Sequence, residues 1–244
     1  MAVNRYYDNT VLAEKVQLAN SQLYGASFIH KFGATPAMSQ SQIGSVWDVN
    51  DTLYPWSAFD TAGVLTIPAV NASDNGSTIT VQGLDNNYNE VAENFVVSSS
   101  ETVTGTQTFK RVYRAFMLDG GLTNVDNINV QRGGTTIARI TAGKGQTLMA
   151  VYTIPKGKTG YIMQGTMTVK AGADATGDMF VRFAGQTTFR NGHSFEVSGS
   201  GGQYFYPFSI PIRIPAMSDI DVRAEVRSNN ARVTAAFDII LVDN

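Results

Sequence analysis

The last quarter of the sequence alternates apolar and polar residues with a period of two. One run covers residues 219–227 and a second covers residues 233–241, with Ser228, Asn229 and Asn230 between them. This alternation predicts two strands that each have one buried and one solvated face, and the polar tripeptide predicts a tight turn. We therefore predict an antiparallel hairpin. Because it presents a wide apolar face, a second sheet has to pack against it.

The run that precedes this predicted hairpin contains prolines. Ile210, Ile212 and Ile214 keep the same alternation, but Pro211 and Pro215 interrupt it. Proline has no backbone N–H to donate to a neighbouring strand, so this run is predicted to lie at a sheet edge or at a bulge.

Short alternating runs fill most of the remaining chain, and turns rich in glycine or asparagine separate many of them. They lie at residues 26–32, 78–84, 91–97, 109–118, 128–131, 135–140, 148–154 and 161–169. This spacing predicts an all-β fold of antiparallel β-sandwich units, with a jelly-roll-like C-terminal half. We also predict a hairpin of 148–154 with 161–169, which a turn at residues 155–160 would connect.

Three parts of the chain follow from this pattern. We predict an N-terminal arm or helix and the first strand in residues 1–40, one β-sandwich in 41–145 and the jelly-roll-like sandwich in 146–244. No charged or proline-rich linker marks the boundary near Gly145, so separate cores and one shared core both stay open.

The N-terminal part contains the one predicted helix, at residues 10–24. Leu12, Val16, Ala19 and Leu23 share one side at helical spacing, and Gly25 can end the helix. The apolar stripe is narrow. We favour a helix that packs on its own subunit; the alternative is an arm that docks on a neighbour, with Leu12, Val16 and Leu23 as its attachment residues.

Large aromatic residues form two further groups of candidates. Trp47 and Trp56 lie in an irregular segment at 39–70, where filling a core is favoured over standing at a contact surface. Trp56, with Tyr204 and Tyr206 beside a glycine-rich loop, is also a candidate for stacking on sugar rings or for a protein interface. Core packing is the commoner fate of such side chains.

Composition excludes several classes of partner. With 18 Lys and Arg against 20 Asp and Glu, the net charge is −2, so nucleic acid is not expected as a main partner. No apolar run is long enough to cross a bilayer and no signal-peptide core opens the chain, so we expect a soluble protein with no membrane partner. The sequence has no cysteine, which excludes disulfides and thiolate chemistry.

Two short motifs resemble ligand sites but break their patterns. Residues 157–159 read Gly-Lys-Thr, yet Tyr152 stands where a phosphate-binding loop needs its first glycine, so a hairpin turn is favoured. Residues 85–89 have Asp and Asn at the alternate positions of a calcium loop, but Glu90 stands where glycine is required, so a β-turn is favoured. We predict no catalytic residue, no metal site and no cofactor.

Lys110, Arg111 and Arg114 form the one dense basic cluster. On a strand, Lys110 and Arg114 share a face and Arg111 points the opposite way, so they do not form one stripe of phosphate contacts. We predict a solvated or intersubunit salt-bridge role for them.

Four segments carry a resemblance to a known family: 29–33 (Ile-His-Lys-Phe-Gly), 83–90, 145–159 and 237–244. Together they resemble virion structural proteins of tailed bacteriophages, particularly those of marine and cyanobacterial hosts, and the resemblance covers most of the chain after residue 28. It implies a non-enzymatic particle component built of β-sandwiches and repeated in many copies.

That resemblance leads to a set of functional expectations. We expect a capsid-surface decoration or fibre component, assembled in the bacterial host cytoplasm and located in the virion. A homo-oligomer, most plausibly a trimer, would bind other virion proteins such as the major capsid protein or a neck or tail protein. The alternatives are a collar, tail or baseplate component, and a receptor module that binds host surface glycans; a glycan hydrolase is the least favoured.

Overall fold

The computed structural model describes residues 16–20, 22–119, 123–199 and 202–244. Residues 16–19 are helical, which is one part of the predicted helix; residues 10–15 and 21 lie outside the described residues. Two 3₁₀ turns span Trp56–Phe59 and Ala72–Asp74. The strands of the described residues are β1 (Ala26–Ala34), β2 (Ile43–Ser45), β3 (Thr66–Ile67), β4 (Thr78–Leu84), β5 (Glu90–Val96), β6 (Val103–Thr104), β7 (Arg111–Met117), β8 (Ile128–Arg132), β9 (Thr135–Ile140), β10 (Val151–Thr153), β11 (Lys158–Val169), β12 (Ala175–Arg182), β13 (Arg190–Val197), β14 (Gln203–Ile214), β15 (Asp219–Val226) and β16 (Val233–Asp243).

Eight of these strands form a jelly-roll sandwich. One sheet has the order β1-β16-β11-β14 and the other has the order β10-β15-β12-β13, with the short β2 added to β15. Apart from the β12–β13 hairpin, strands that follow one another around the roll lie in opposite sheets, which is the double Greek key of a jelly roll. The predicted all-β fold with a jelly-roll-like C-terminal half is confirmed.

Both predicted hairpins are wrong, although their strands exist. β15 pairs with β10 and β12, whereas β16 pairs with β1 and β11. β10 and β11 are likewise separated, so residues 155–157 turn between the two sheets and do not close a hairpin. Alternation reports which face of a strand is apolar, and two apolar faces can meet across a core as well as side by side in one sheet.

The remaining strands, β3 to β9, form a second sandwich between β1 and β10 in the chain, here called the inserted sandwich. Its sheets have the orders β6-β3-β8-β9 and β5-β4-β7. Its core is a cluster separate from that of the jelly roll, and both tryptophans are buried. The predicted boundaries at residues 40 and 145 stay a prediction, but β1 completes the jelly roll by pairing with β16.

Several local predictions are confirmed. The predicted strands at 78–84 and 135–140 coincide with β4 and β9. The proline-containing run lies on β14, the edge strand of its sheet, and its register against β11 jumps from Ile212 to Pro207. Residues 85–89 form the turn between β4 and β5, where the Asp85 carboxylate accepts the backbone N–H groups of Asn87 and Asn89.

The first predicted strand is present as β1, and its aromatic residues lie on the more exposed side. Phe28 and His30 are exposed, whereas Lys31 and Gly33 are buried. A Cβ at Gly33 would collide with the backbone of Val46 and Ala150. The backbone of Val46 and Ala150 approaches β1 so closely at Gly33 that only a side without a large side chain fits there, and this side of β1 is therefore the buried one.

No helix in the described part of the chain is long and apolar enough to cross a membrane.

Candidate functional site

The two sandwiches meet at a buried carboxylate, Asp219. In the jelly roll, β15 lies between β10 and β12, so Thr153 and Arg182 stand directly opposite Asp219 in register. The Thr153 hydroxyl donates to Asp219 Oδ1 at 2.6 Å, and Arg182 donates to Oδ2 through Nε at 2.9 Å and Nη2 at 2.6 Å. The register of three neighbouring strands thus assembles half of the site.

The inserted sandwich supplies the other half through Arg111 of β7. Its Nε donates to Asp219 Oδ1 at 2.7 Å and its Nη2 donates to Oδ2 at 3.0 Å, the two-pronged geometry in which an arginine binds a carboxylate most strongly. Asp219 therefore accepts five hydrogen bonds, two of them from Arg111 across the junction. We call Asp219, Arg111, Arg182 and Thr153 the Asp219 network.

This network corrects the prediction for Arg111. A solvated or intersubunit role is wrong for this residue, because Arg111 is buried and pairs within its own chain. The predicted shared face of Lys110 and Arg114 is not found, because Lys110 lines the same cavity as Arg111, and the register of β7 shifts before Arg114. Arg114 is exposed, with its guanidinium 4.5 Å from the Phe116 ring centroid, and Lys110 Nζ donates to the Asp60 carbonyl oxygen at 2.5 Å.

The second prediction that this site corrects is the wet face of β15. Asp219 and Asp221 alternate with apolar residues and were expected in solvent, but both are buried. Trp56 covers this face and donates from Nε1 to Asp221 Oδ2 at 3.0 Å. Burial raises the pKa of Asp221, and the Arg223 guanidinium, whose Nε lies 2.9 Å from Oδ2, opposes that rise.

Trp56 is therefore part of the junction. The guanidinium carbons of Arg111 and Arg182 lie 5.5 and 5.4 Å from its ring centroid, and Phe189 lies at 5.3 Å. The ring is buried, as the favoured core interpretation predicted. The glycan-stacking hypothesis for Trp56 stays a prediction, and it would require this ring to become uncovered.

A polar cavity of about 480 Å³ opens beside the Asp219 network. Its lining includes Asp219, Arg111 and Arg182 of the network, together with Lys110, Asp60 and Tyr88. Tyr88 and Met217, which also lines the cavity, have φ angles of 63° and 59°, in the left-handed region that non-glycine residues seldom adopt. Its two buried charged groups, Arg111 and Asp219, already satisfy each other.

Tyr204 and Tyr206 lie together on β14. The Tyr204 ring stacks on Phe195 at 4.2 Å, and its hydroxyl lies 2.6 Å from His193 Nε2. Tyr206 is nearly parallel to Tyr204, with ring centroids 6.2 Å apart, and it is 44% exposed. The structure thus brings these two predicted residues together and keeps Trp56 apart from them.

β14 also carries an exposed apolar surface. Phe205 is 55% exposed and Ile210 is 83% exposed. Among the described residues, β14 pairs with β11 alone and β13 pairs with β12 alone, so both are edge strands on the same side of the jelly roll. We call this surface the β13–β14 edge.

The predicted attachment residues of the N-terminal arm are only partly described. Val16 and Leu23 are exposed, and Leu12 lies outside the described residues. Leu18 lines an apolar cavity of about 440 Å³ with Phe28 and Ile240, on the outer face of the jelly-roll sheet. Ala19 of the predicted stripe lines the same cavity, so the side of the helix that faces the sheet includes Ala19 and also Leu18, which the predicted stripe omitted. The attachment role stays a prediction.

In the described ranges, His, Asp and Glu side chains form no group of three or more that could hold a metal ion.

Comparisons with known proteins add little to this geometry. No family model matches the chain, and no curated protein matches it. Among solved structures, the chain is similar to the VP2 subviral particle of infectious bursal disease virus, with 9% identity over 91% of this chain and 72% of that chain and a TM-score of 0.23. It is also similar to a structure of the Gx strain of the same virus, with 9% identity, coverage of 89% and 72%, and a TM-score of 0.24. These TM-scores are too low for the likeness to support a conclusion about fold or function.

Proposed function

We propose that this chain is a non-enzymatic structural subunit of a tailed-bacteriophage virion, present in many copies as a capsid-surface decoration or fibre component. Its sequence resemblance to such proteins supports this role, and so does the jelly roll, an architecture that viral capsid proteins and lectins share. The alternative within the same class is a collar, tail or baseplate component. In each case the subunit assembles as a homo-oligomer, most simply a trimer, and binds another virion protein.

The observation that carries the proposal is the β13–β14 edge. A long edge strand offers unpaired backbone groups, and isolated proteins usually protect such strands with charged residues. Pro207 and Pro211 interrupt β14, and residues 208–211 leave the ladder with β11, but the strand still exposes Phe205, Tyr206 and Ile210. An apolar, unpaired edge of this kind is typical of a surface that a neighbouring subunit covers.

The proposal is tested on the particle itself. Particles of the phage that encodes this chain are purified by density gradient, and the chain is counted against the major capsid protein by quantitative mass spectrometry. Many copies per particle are expected. A chain that stays in the host lysate and is absent from purified particles would overturn the proposal.

A substitution tests whether the β13–β14 edge makes the assembly contact. Ile210→Lys places a charge on a side chain that is already in solvent, so the subunit is expected to fold while its oligomer dissociates. Val96→Lys is the matched control, since Val96 is 62% exposed on an edge strand of the inserted sandwich. Light scattering after size-exclusion chromatography, repeated across a dilution series, gives the mass of each variant. Equal masses for Ile210→Lys and the unmodified chain would exclude this edge as the contact.

One observation favours the receptor-module alternative, namely the exposed ring of Tyr206 stacked beside Tyr204. Parallel aromatic rings at a surface can hold a sugar ring by its apolar face. Tyr206→Ala is the variant to use, because its ring is open, whereas Trp56→Ala would disturb the buried junction. A glycan array and host-cell adsorption are the readouts; binding that Tyr206→Ala leaves unchanged would count against this alternative.

A further inference from the structure

A second cavity, of about 320 Å³, lies where β1 and β10 of the jelly roll approach β7 of the inserted sandwich. Lys31 of β1 reaches into this junction, is 7% exposed, and donates from Nζ to the backbone oxygen of Tyr113. Tyr152 of β10 lines the same cavity and is 1% exposed. Its hydroxyl has no hydrogen-bond partner among the described residues.

The wall of this cavity has donors but no carboxylate. Arg114, Gln82, Gln146 and Thr147 line it with Lys31 and Tyr152, and none of its lining residues is Asp or Glu. Two acidic groups affect lining residues of the cavity: Asp238 binds His30, and the charge of Glu90 raises the pKa values of Tyr113 and Tyr152, after the larger effect of burial. Lys31 forms no ion pair with any described carboxylate.

A buried ammonium without an anion is costly, because its charge has left water and met no compensating charge. Burial, and then the nearby Arg114 guanidinium, lower the pKa of Lys31 to about 7. Burial also raises the pKa of Tyr152 well above its ordinary value, so its hydroxyl keeps its proton and stays a donor. An anion between these two groups would satisfy both at once.

We propose that this cavity is a binding site for a small organic carboxylate, whose oxygens accept from Lys31 Nζ and Tyr152 Oη. The rings of Phe28, Phe32 and Tyr113 line the same cavity and fit an apolar or aromatic body on that ligand. The site is independent of the proposed assembly role, since it lies within one chain and away from the β13–β14 edge. The ligand would bridge the jelly roll and the inserted sandwich, as Asp219 does at the other junction site.

Binding is coupled to protonation, and this coupling provides the test. An anion favours the ammonium form of Lys31, so at about pH 8 the complex takes up close to one proton, which the free site mostly lacks. Isothermal titration calorimetry of the full chain with benzoate and with acetate, in two buffers of different ionisation enthalpy, measures affinity and proton uptake together. Benzamide, which has the shape of benzoate without its charge, is the control for charge. Inorganic phosphate is the control for binding of an anion that is not a carboxylate.

The proposal expects benzoate or acetate to bind with uptake of about 0.5–0.9 proton per chain, and benzamide to bind at least about tenfold more weakly. Lys31→Met is expected to abolish binding and proton uptake, and Tyr152→Phe to weaken binding about five- to tenfold. Lys144→Met, at an exposed lysine, is expected to change neither.

Three results would overturn the proposal. They are the absence of binding by both carboxylates, binding without proton uptake, and binding that Tyr152→Phe leaves unchanged. Phosphate binding as tight as benzoate binding would overturn the assignment to a carboxylate. The proton uptake is measured on the unmodified chain, so the test holds even if Lys31→Met fails to fold.

Discussion

Two buried cations at the junction of the sandwiches have opposite surroundings. Arg111 binds Asp219 with two hydrogen bonds, whereas Lys31, at the other junction site, faces a cavity with no carboxylate in its wall. Both side chains come from strands that carry other exposed polar residues, so their own sequences do not distinguish them. The difference shows that burial of a charge has two outcomes. A charge with a partner holds two units together, and a charge without one leaves a site that an external anion can complete.

The largest expected effect comes from removing the carboxylate of the Asp219 network. Asp219→Ala would leave the guanidinium groups of Arg111 and Arg182 buried and unpaired, so the free energy of unfolding is expected to fall by about 3–5 kcal/mol. Urea denaturation followed by tryptophan fluorescence measures the loss, since Trp56 lies between the two arginines.

The control for that variant is Asp243→Ala. Asp243 pairs with Lys158 at 2.9 Å, but its side chain is 59% exposed, so the expected loss is at most about 1 kcal/mol. Equal losses in the two variants would mean that the Asp219 network does not join the sandwiches more strongly than a surface pair.

The next effect is the pH dependence of the free energy of unfolding, and it comes from Lys31 at the site that has no carboxylate. The pKa of Lys31 is about 7 in the folded chain and 10.5 when unperturbed, so between these values the unfolded chain binds more protons than the folded one. Stability is therefore expected to rise with pH above about 7, with a slope of up to about 1.4 kcal/mol per pH unit. Lys31→Met is expected to lose this slope.

Urea denaturation from about pH 7 to pH 9.5 measures both slopes. The series stops at about pH 9.5 so that tyrosine ionisation does not contribute. Burial raises the pKa values of Tyr113 and Tyr152 in the folded chain, so above about pH 10 these residues lower the free energy of unfolding as pH rises. Parallel curves for the unmodified chain and Lys31→Met would mean that Lys31 keeps its charge in the folded state.

The smallest effect comes from removing one hydrogen-bond donor from the Asp219 network. Thr153→Val deletes the hydroxyl that donates to Asp219 Oδ1, while Arg111 and Arg182 still bind the carboxylate. We expect a loss of about 1–2 kcal/mol. Thr168→Val is the matched control, since that hydroxyl bonds Thr234 at the surface and its removal is expected to cost no more than about 0.5 kcal/mol. A loss as large as that of Asp219→Ala would contradict the graded contribution of these donors.

The candidate sites were the least predictable part of the molecule from sequence. Residues 219–227 alternate so regularly that the pattern places Asp219 and Asp221 in solvent, and the run at 26–32 predicts a strand without indicating that Lys31 lies on its buried face. In both places a second layer of the protein covers the polar face. The only local signal at Lys31 is Gly33 on the same side of β1, where a larger residue would not fit.

The sequence by itself determined where most of the longer strands lie, that the proline-containing run of β14 lies at a sheet edge or a bulge, and that the fold is all-β. These properties depend on a period of two, on turn residues and on proline, all of which act within a few residues along the chain. Tertiary structure alone decided that β15 and β16 enter opposite sheets, that β1 pairs with β16, and that Arg111 meets Asp219. The β1–β16 pairing and the Arg111–Asp219 ion pair join residues more than a hundred positions apart, whereas β15 and β16, which are consecutive in the chain, lie in different sheets. These arrangements depend on the simultaneous burial of the apolar faces of all strands, and a local sequence pattern does not specify how that burial is achieved.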